Sequence, residues 1–316
     1  MRKSAIALVA AGLLGLARVD AAPEWRQLAT PEFTVVSQLS ERNTRAWADE
    51  FAQFIEALRG IVPMDLQKLP PLTVVLFANP GEFAPYRPLG PDGKPIDLAG
   101  FFSRHRSWAI IGMASRANDL ATRHIIFHEG VHWCMSESLA NYPLWLNEGL
   151  AEVFSTFRLE AGHARWGDPI WGHILLLRKE KPLPLETFVS ISSDNPLYYK
   201  QHRIGIYYAE SWAFVHYLLF GQRAGSRAGL SFYLESLRTG VPPARAFQDA
   251  FGTSYSGMDD NLQDYINGGS YAVSIQRLSS AAESAAAFTP ASPVLVDVTL
   301  RKLALSSGRR APPRTR

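Results

Sequence analysis

Apolar and polar positions follow two different rhythms along this chain. Near the start the rhythm has period two: residues 31–38 (Pro-Glu-Phe-Thr-Val-Val-Ser-Gln) alternate as a strand does. Trp47, Phe51, Phe54, Ile55 and Leu58 then recur at helical spacing. The compact run Leu72–Phe77, bounded by Pro70-Pro71 and Pro80-Gly81, predicts a buried strand. The Pro- and Gly-rich stretch 82–99 reads as a loop, and Ser107–Met113 as a third strand. From Asn118 onward the rhythm is helical, over 118–135, 144–159, 205–220, 228–238, 243–251 and 258–267. Strands first and helices after predict an α+β fold: a small N-terminal mixed sheet with helices, then a mainly helical C-terminal half. An alternating βαβ sheet is not expected. Beyond Gly268-Gly269 the chain turns Ala- and Ser-rich and ends in Arg-Arg-Ala-Pro-Pro-Arg-Thr-Arg. That places a domain over 22–270 and a poorly ordered tail over 271–316.

Composition bounds the picture further. A chain of 316 residues, 47% of them hydrophobic, can bury one large core or two smaller ones. Arg2 and Lys3 precede an apolar run from Ala5 to Leu16, and Val19-Asp20-Ala21 has the small-x-small pattern of a cleavage site. Residues 1–21 are therefore expected to be a signal peptide of an exported protein, periplasmic or secreted, with an uncleaved N-terminal anchor as the alternative reading. The run is short for a bilayer, so no integral membrane segment is expected after cleavage. Cys134 is the one cysteine, so no internal disulfide forms. It lies two residues past His132, on another helix face, and reads as a small buried hydrophobe. The formal charge of +3 comes from the ends. Without the leader and the Arg-rich tail the balance turns acidic, which excludes a basic nucleic-acid stripe from the folded part.

Candidate chemistry sits in two short stretches. The first is His-Glu-Gly-Val-His at 128–132; the second is Trp-Leu-Asn-Glu-Gly-Leu-Ala-Glu at 145–152. Residues four apart share a helix face, so His128 and His132 can offer two imidazole nitrogens to one metal ion. Glu129 between them is the group a zinc hydrolase needs to take a proton from water. Glu148 supplies a third ligand. The competing reading makes the histidines core residues, and Glu148 and Glu152 a solvated face. Against it, Gly130 and Gly149 sit inside predicted helices, where Gly costs about 1 kcal/mol relative to Ala, and such glycines point to a close backbone or ligand. Asn147, Glu148 and Glu152 also lie off the Leu146, Leu150, Phe154 and Phe157 stripe, and burying that polar edge calls for a cation. Other ligands fit less well. Glu137 would need the helix to break at once, and His124 lies one turn too far up, which suggests a surface or supporting place. The Gly and His of a metzincin are replaced by Met135 and Ser138.

These residues resemble the gluzincins, the thermolysin-like superfamily of zinc peptidases. Pro-Leu-Trp-Leu-Asn-Glu-Gly-Leu-Ala-Glu (143–152) is similar to peptidase-MA-like proteins and to the zinc aminopeptidase branch. The resemblance covers residues 25–265. It implies that His128, His132 and Glu148 hold Zn2+ and that Glu129 is the general base. It also implies that Glu152 orients His128 and that Asn147 does the same for His132. Tyr208-Ala-Glu-Ser-Trp-Ala-Phe-Val-His-Tyr-Leu resembles the helix carrying the transition-state tyrosine of the aminopeptidase branch. Tyr208 is thus the candidate oxyanion donor, with Tyr207 its competitor and His202 and His216 behind them. One departure bears on function. The aminopeptidases carry Gly-x-Met-Glu-Asn before the metal helix, whereas Gly112-Met113-Ala114-Ser115 has no carboxylate, so aminopeptidase activity is not expected. Strand 107–113 is still expected to pair with an extended substrate. The resulting expectation is an exported zinc peptidase acting on peptide or protein substrates. The rivals are an amidase acting on cell-wall or other non-protein amides, and a zinc-retaining binding module without turnover.

Overall fold

A computed structural model describes residues 24–62, 64–90, 92–98, 100–114, 120–136, 142–192, 201–221, 227–277 and 286–309. Strand β1 (Arg26–Ala29) and β2 (Phe33–Ser37) form an antiparallel pair. Helix α1 (Glu41–Arg59) follows, capped by the Ser40 hydroxyl, which accepts from Asn43 N–H. It returns the chain to β3 (Leu72–Phe77), parallel to β2. A short helix α2 (Pro80–Phe83) and an irregular stretch lead to β4 (Gly100–His105) and β5 (Trp108–Ala114). The sheet order is β4-β5-β3-β2-β1, with β5 parallel to β3 and β4 antiparallel at the edge. The sheet is mixed, as expected, yet β2-α1-β3 is a βαβ unit inside it.

The middle of the chain is helical. α3 (Leu120–Cys134) and α4 (Leu144–Ser155) carry the two motifs. A hairpin follows, β6 (Arg158–Glu160) and β7 (His163–Trp166), turning through Ala161 and Gly162, both with positive φ. Then come α5 (Trp171–Lys179), α6 (Leu185–Val189), α7 (Gln201–Phe220), α8 (Arg227–Arg238), α9 (Pro243–Phe251) and α10 (Tyr255–Gly268). α4 is apolar nearly all round and packs between α3 and α7, the position such a helix must take. The fold is α+β.

The expected tail is corrected. β8 (Ser274–Arg277) adds a third strand to the β6–β7 hairpin, and β9 (Phe288–Pro290) pairs with β1. α11 (Pro293–Ser306) packs on the main sheet. The physical cause lies in β3 and β5, which are buried on both faces. Val74, Leu76, Ile111 and Met113 face the core shared with α1 and α3. Their neighbours Val75, Phe77, Ile110 and Ala114 face the other way and need a cover, which Leu300, Leu303 and Ala304 of α11 provide. Leu303 sits directly on Gly112, where a Cβ would strike it. The signal-peptide residues 1–21 lie outside the described residues. No helix among the described residues is long and apolar enough to cross a membrane.

Candidate metal centre

α3 turns Ile126, Phe127, Val131, Trp133 and Cys134 into the core and leaves its histidine face toward α4. Cys134 is a buried free thiol, and burial pushes its pKa up, as a packing role requires. As α3 advances, α4 runs back alongside it. His128 Nε2 lies 3.6 Å from Glu148 Oε2, and His132 Nε2 lies 3.5 Å from the same oxygen. The two imidazole nitrogens are 3.1 Å apart. A tetrahedral ion with bonds of about 2.0–2.1 Å needs ligand atoms roughly 3.3–3.4 Å apart, which these three atoms match. Glu148 Oε2 is buried and has no hydrogen-bond partner among the described residues. An orphaned carboxylate oxygen aimed at two imidazoles is costly unless a cation joins them. The three residues can hold a metal ion.

The surrounding charges fit that use. Burial draws the Glu148 pKa upward, but the facing imidazoles of His128 and His132 prevail and hold it at about 2. Burial likewise pulls His128 down, against Glu148, Glu152 and the Glu129 charge, which together lift it to about 10. Glu152, one turn along α4, reaches His128 Nδ1 at 3.3 Å. Its other oxygen accepts from His173 Nε2 at 3.0 Å. Despite burial, His128 and His173 hold Glu152 at about 2.

A cavity of about 450 Å³ reaches this centre at His128 and is lined as well by His124, Glu129, Glu152, His173 and Tyr208 among others. Tyr208 is the tyrosine on the cavity side, its ring 6.1 Å from that of His128. Tyr207 is buried and packs on Phe188, with ring centres 5.1 Å apart. His124 lines the cavity without joining the metal cluster, and burial lowers its pKa.

Several expectations are corrected here. Asn147 does not reach His132: its amide donates to the Tyr142 carbonyl at 3.4 Å, because one residue before Glu148 the helix has turned by about 100°. His216 is a core residue, bonded to Tyr265 Oη at 2.6 Å and to the Gly167 carbonyl at 2.8 Å, and burial lowers its pKa to about 4. Strand β5 cannot pair with a substrate, since β3 and β4 occupy both its edges. Among the described residues the edge on that side of the sheet belongs to β4, which begins beside Ile125 of the cavity wall: a Cβ on Gly100 would lie 3.6 Å from Ile125 Cγ2. Of the close backbone or ligand expected at the two helix glycines, Gly149 meets the backbone, while Gly130 meets aromatic side chains. A Cβ at Gly130 would lie 2.8 Å from Phe54 Cε1, and one at Gly149 would run into the Ser211 carbonyl of α7. Glu137 and the His202 side chain lie outside the described residues. Sequence reasoning missed His173, whose partner Glu152 precedes it by a hairpin and a turn.

No protein-family model matches the chain. A comparison with curated protein sequences likewise finds no match.

Proposed function

We propose that this chain is a zinc-dependent hydrolase of gluzincin type, exported and acting on peptide bonds. The observation that carries the reading is the His128–His132–Glu148 triangle, whose His128 lines a cavity together with Glu129 and Tyr208. Two nitrogens and one carboxylate oxygen form a donor set suited to Zn2+, and three protein ligands with an open side suit catalysis better than structure. When bound, zinc supplies a Lewis acid that polarises a carbonyl and acidifies water. Glu129 is not a member of the ligand cluster and is free to take a proton from water and return it to the leaving amine. Tyr208 places a phenol on the cavity side, where it donates to the oxygen that gains charge as the carbonyl becomes tetrahedral. An extended peptide would reach the cleft along the edge of β4, through backbone hydrogen bonds.

The test is turnover of a mixed peptide library by the mature protein, with and without chelator. Cleavage that chelator abolishes and zinc restores is the expected result. No peptide cleavage, together with release of cell-wall fragments, would move the substrate to non-protein amides. Cleavage that is indifferent to chelator would end the zinc reading.

A further inference from the structure

His173 has no place in either sequence motif, yet it stands against the centre. Its Nε2–H donates to Glu152 Oε2 at 3.0 Å, while Glu152 Oε1 faces His128 Nδ1 at 3.3 Å. One carboxylate therefore spans two imidazoles from two helices, α5 and α3. We propose that His173 is a positioning residue of the metal centre, holding Glu152 so that His128 gives its Nδ1–H to Glu152 and turns Nε2 toward Glu148 and His132. The inference rests on the metal reading above.

Local structure supports this in two ways. The chain is steered to the cleft by a built turn. Thr156 Oγ1 accepts from the N–H groups of Gly167 and Asp168 at 2.9 and 3.0 Å, and His216 Nε2–H donates to the Gly167 carbonyl. Gly167 has φ +81, and a Cβ there would lie 2.8 Å from Phe220, so glycine is required. α5 also does not need His173 in order to stay attached. Ile174 and Leu177 are buried at 0% and 3% exposure and fix the helix to the core, while His173 stands at the cavity wall. A bond that the helix does not require, made to a buried carboxylate that orients a ligand, serves the ligand. Without it, Glu152 keeps His128 and loses His173, one of the two imidazoles that fix its carboxylate.

Zinc affinity of the full mature chain, measured by competition with a chromophoric chelator, tests this in His173→Ala and His173→Gln. Outer partners of metal-bound histidines typically contribute about 10- to 100-fold in affinity. His173 acts one hydrogen bond further out, so His173→Ala is expected to weaken zinc by about 10-fold. The amide of His173→Gln can still donate to Glu152 and is expected to restore binding to within about 3-fold of the wild type. Melting of the zinc-free proteins should be the same in all three, which separates positioning from folding. Wild-type affinity in His173→Ala, or equal weakening in both variants, overturns the inference and leaves the zinc reading standing. A wild-type chain that takes no zinc overturns both.

Discussion

Glu129 and Glu148 answer to different tests, since one lines the cavity and the other points its buried Oε2 at two imidazoles. Glu129→Gln is expected to keep zinc and lose about 100- to 10,000-fold in turnover, read from kcat beside metal content. Tyr208→Phe is expected to lower kcat by about 100-fold with little change in KM, while Tyr207→Phe, deep against Phe188, leaves turnover nearly unchanged. The opposite ranking would assign the role to Tyr207. Glu210 on α7 gives a test of a different kind. It is fully buried, accepts from Leu183 N–H at 3.0 Å, and is pushed up to about 8 by burial, with the Asp259 charge adding to the rise. The folded protein then binds more protons than the unfolded chain between about pH 4.5 and 8, so this residue's contribution to stability falls as pH rises through that window. Glu210→Gln should therefore stabilise the protein on the order of 1–3 kcal/mol at pH 8 and hardly at all at pH 4, as denaturant melts would show. At this scale the clustering of His128, His132 and Glu148, with Glu152 beside it, was legible because helical spacing is local. Asn147 and His173 were not: Asn147 is aimed by one step of helix rotation, and His173 arrives through a tertiary turn.

Helices make the site by pairing, and three glycines show how tightly. Gly149 lets α4 lie against the Ser211 carbonyl of α7, so Gly149→Ala must part the helices that carry Glu148 and Tyr208. A loss of about 3 kcal/mol is expected, together with weaker zinc binding. Gly112→Ala should cost a similar amount by displacing Leu303, but from the face of the sheet opposite the metal helix, so zinc affinity should hold. At Gly205 on α7 a Cβ would meet nothing nearer than Leu176 Cδ2 at 3.8 Å. Gly205→Ala is therefore expected to stabilise by up to about 1 kcal/mol, since only helix propensity changes. Chemical denaturation of the three variants checks the ranking. The sequence pattern announced α1, α3, α4 and α7–α10 because their apolar stripes are long. It passed over β1, β6 and α6, which are short, over β4, whose apolar residues stand only at its start, over α5, of which only Ile174 and Leu177 are buried, and over α11, whose exposed Val294, Val298 and Leu305 blur its stripe.

On the scale of the whole molecule, the sheet separates two cores, and the C-terminal segment closes the second. Ending the chain at Ser270 would strip β8, β9 and α11 and bare Val75, Phe77 and Ile110. With each large apolar side chain worth about 1.5–3 kcal/mol, the melting temperature should fall by more than about 10 °C. Composition misled here: an Ala- and Ser-rich, basic stretch resembles a tail, while the need to cover both faces of β3 and β5 is visible only in the assembled sheet. The proposed function requires one zinc ion held between α3 and α4 by His128, His132 and Glu148. Metal analysis of the mature protein after exhaustive dialysis tests that most directly. One zinc per chain in the wild type and in Glu129→Gln, and none retained in Glu148→Ala, is the predicted result. A wild-type chain free of metal, or a Glu148→Ala variant that keeps full occupancy, would contradict it.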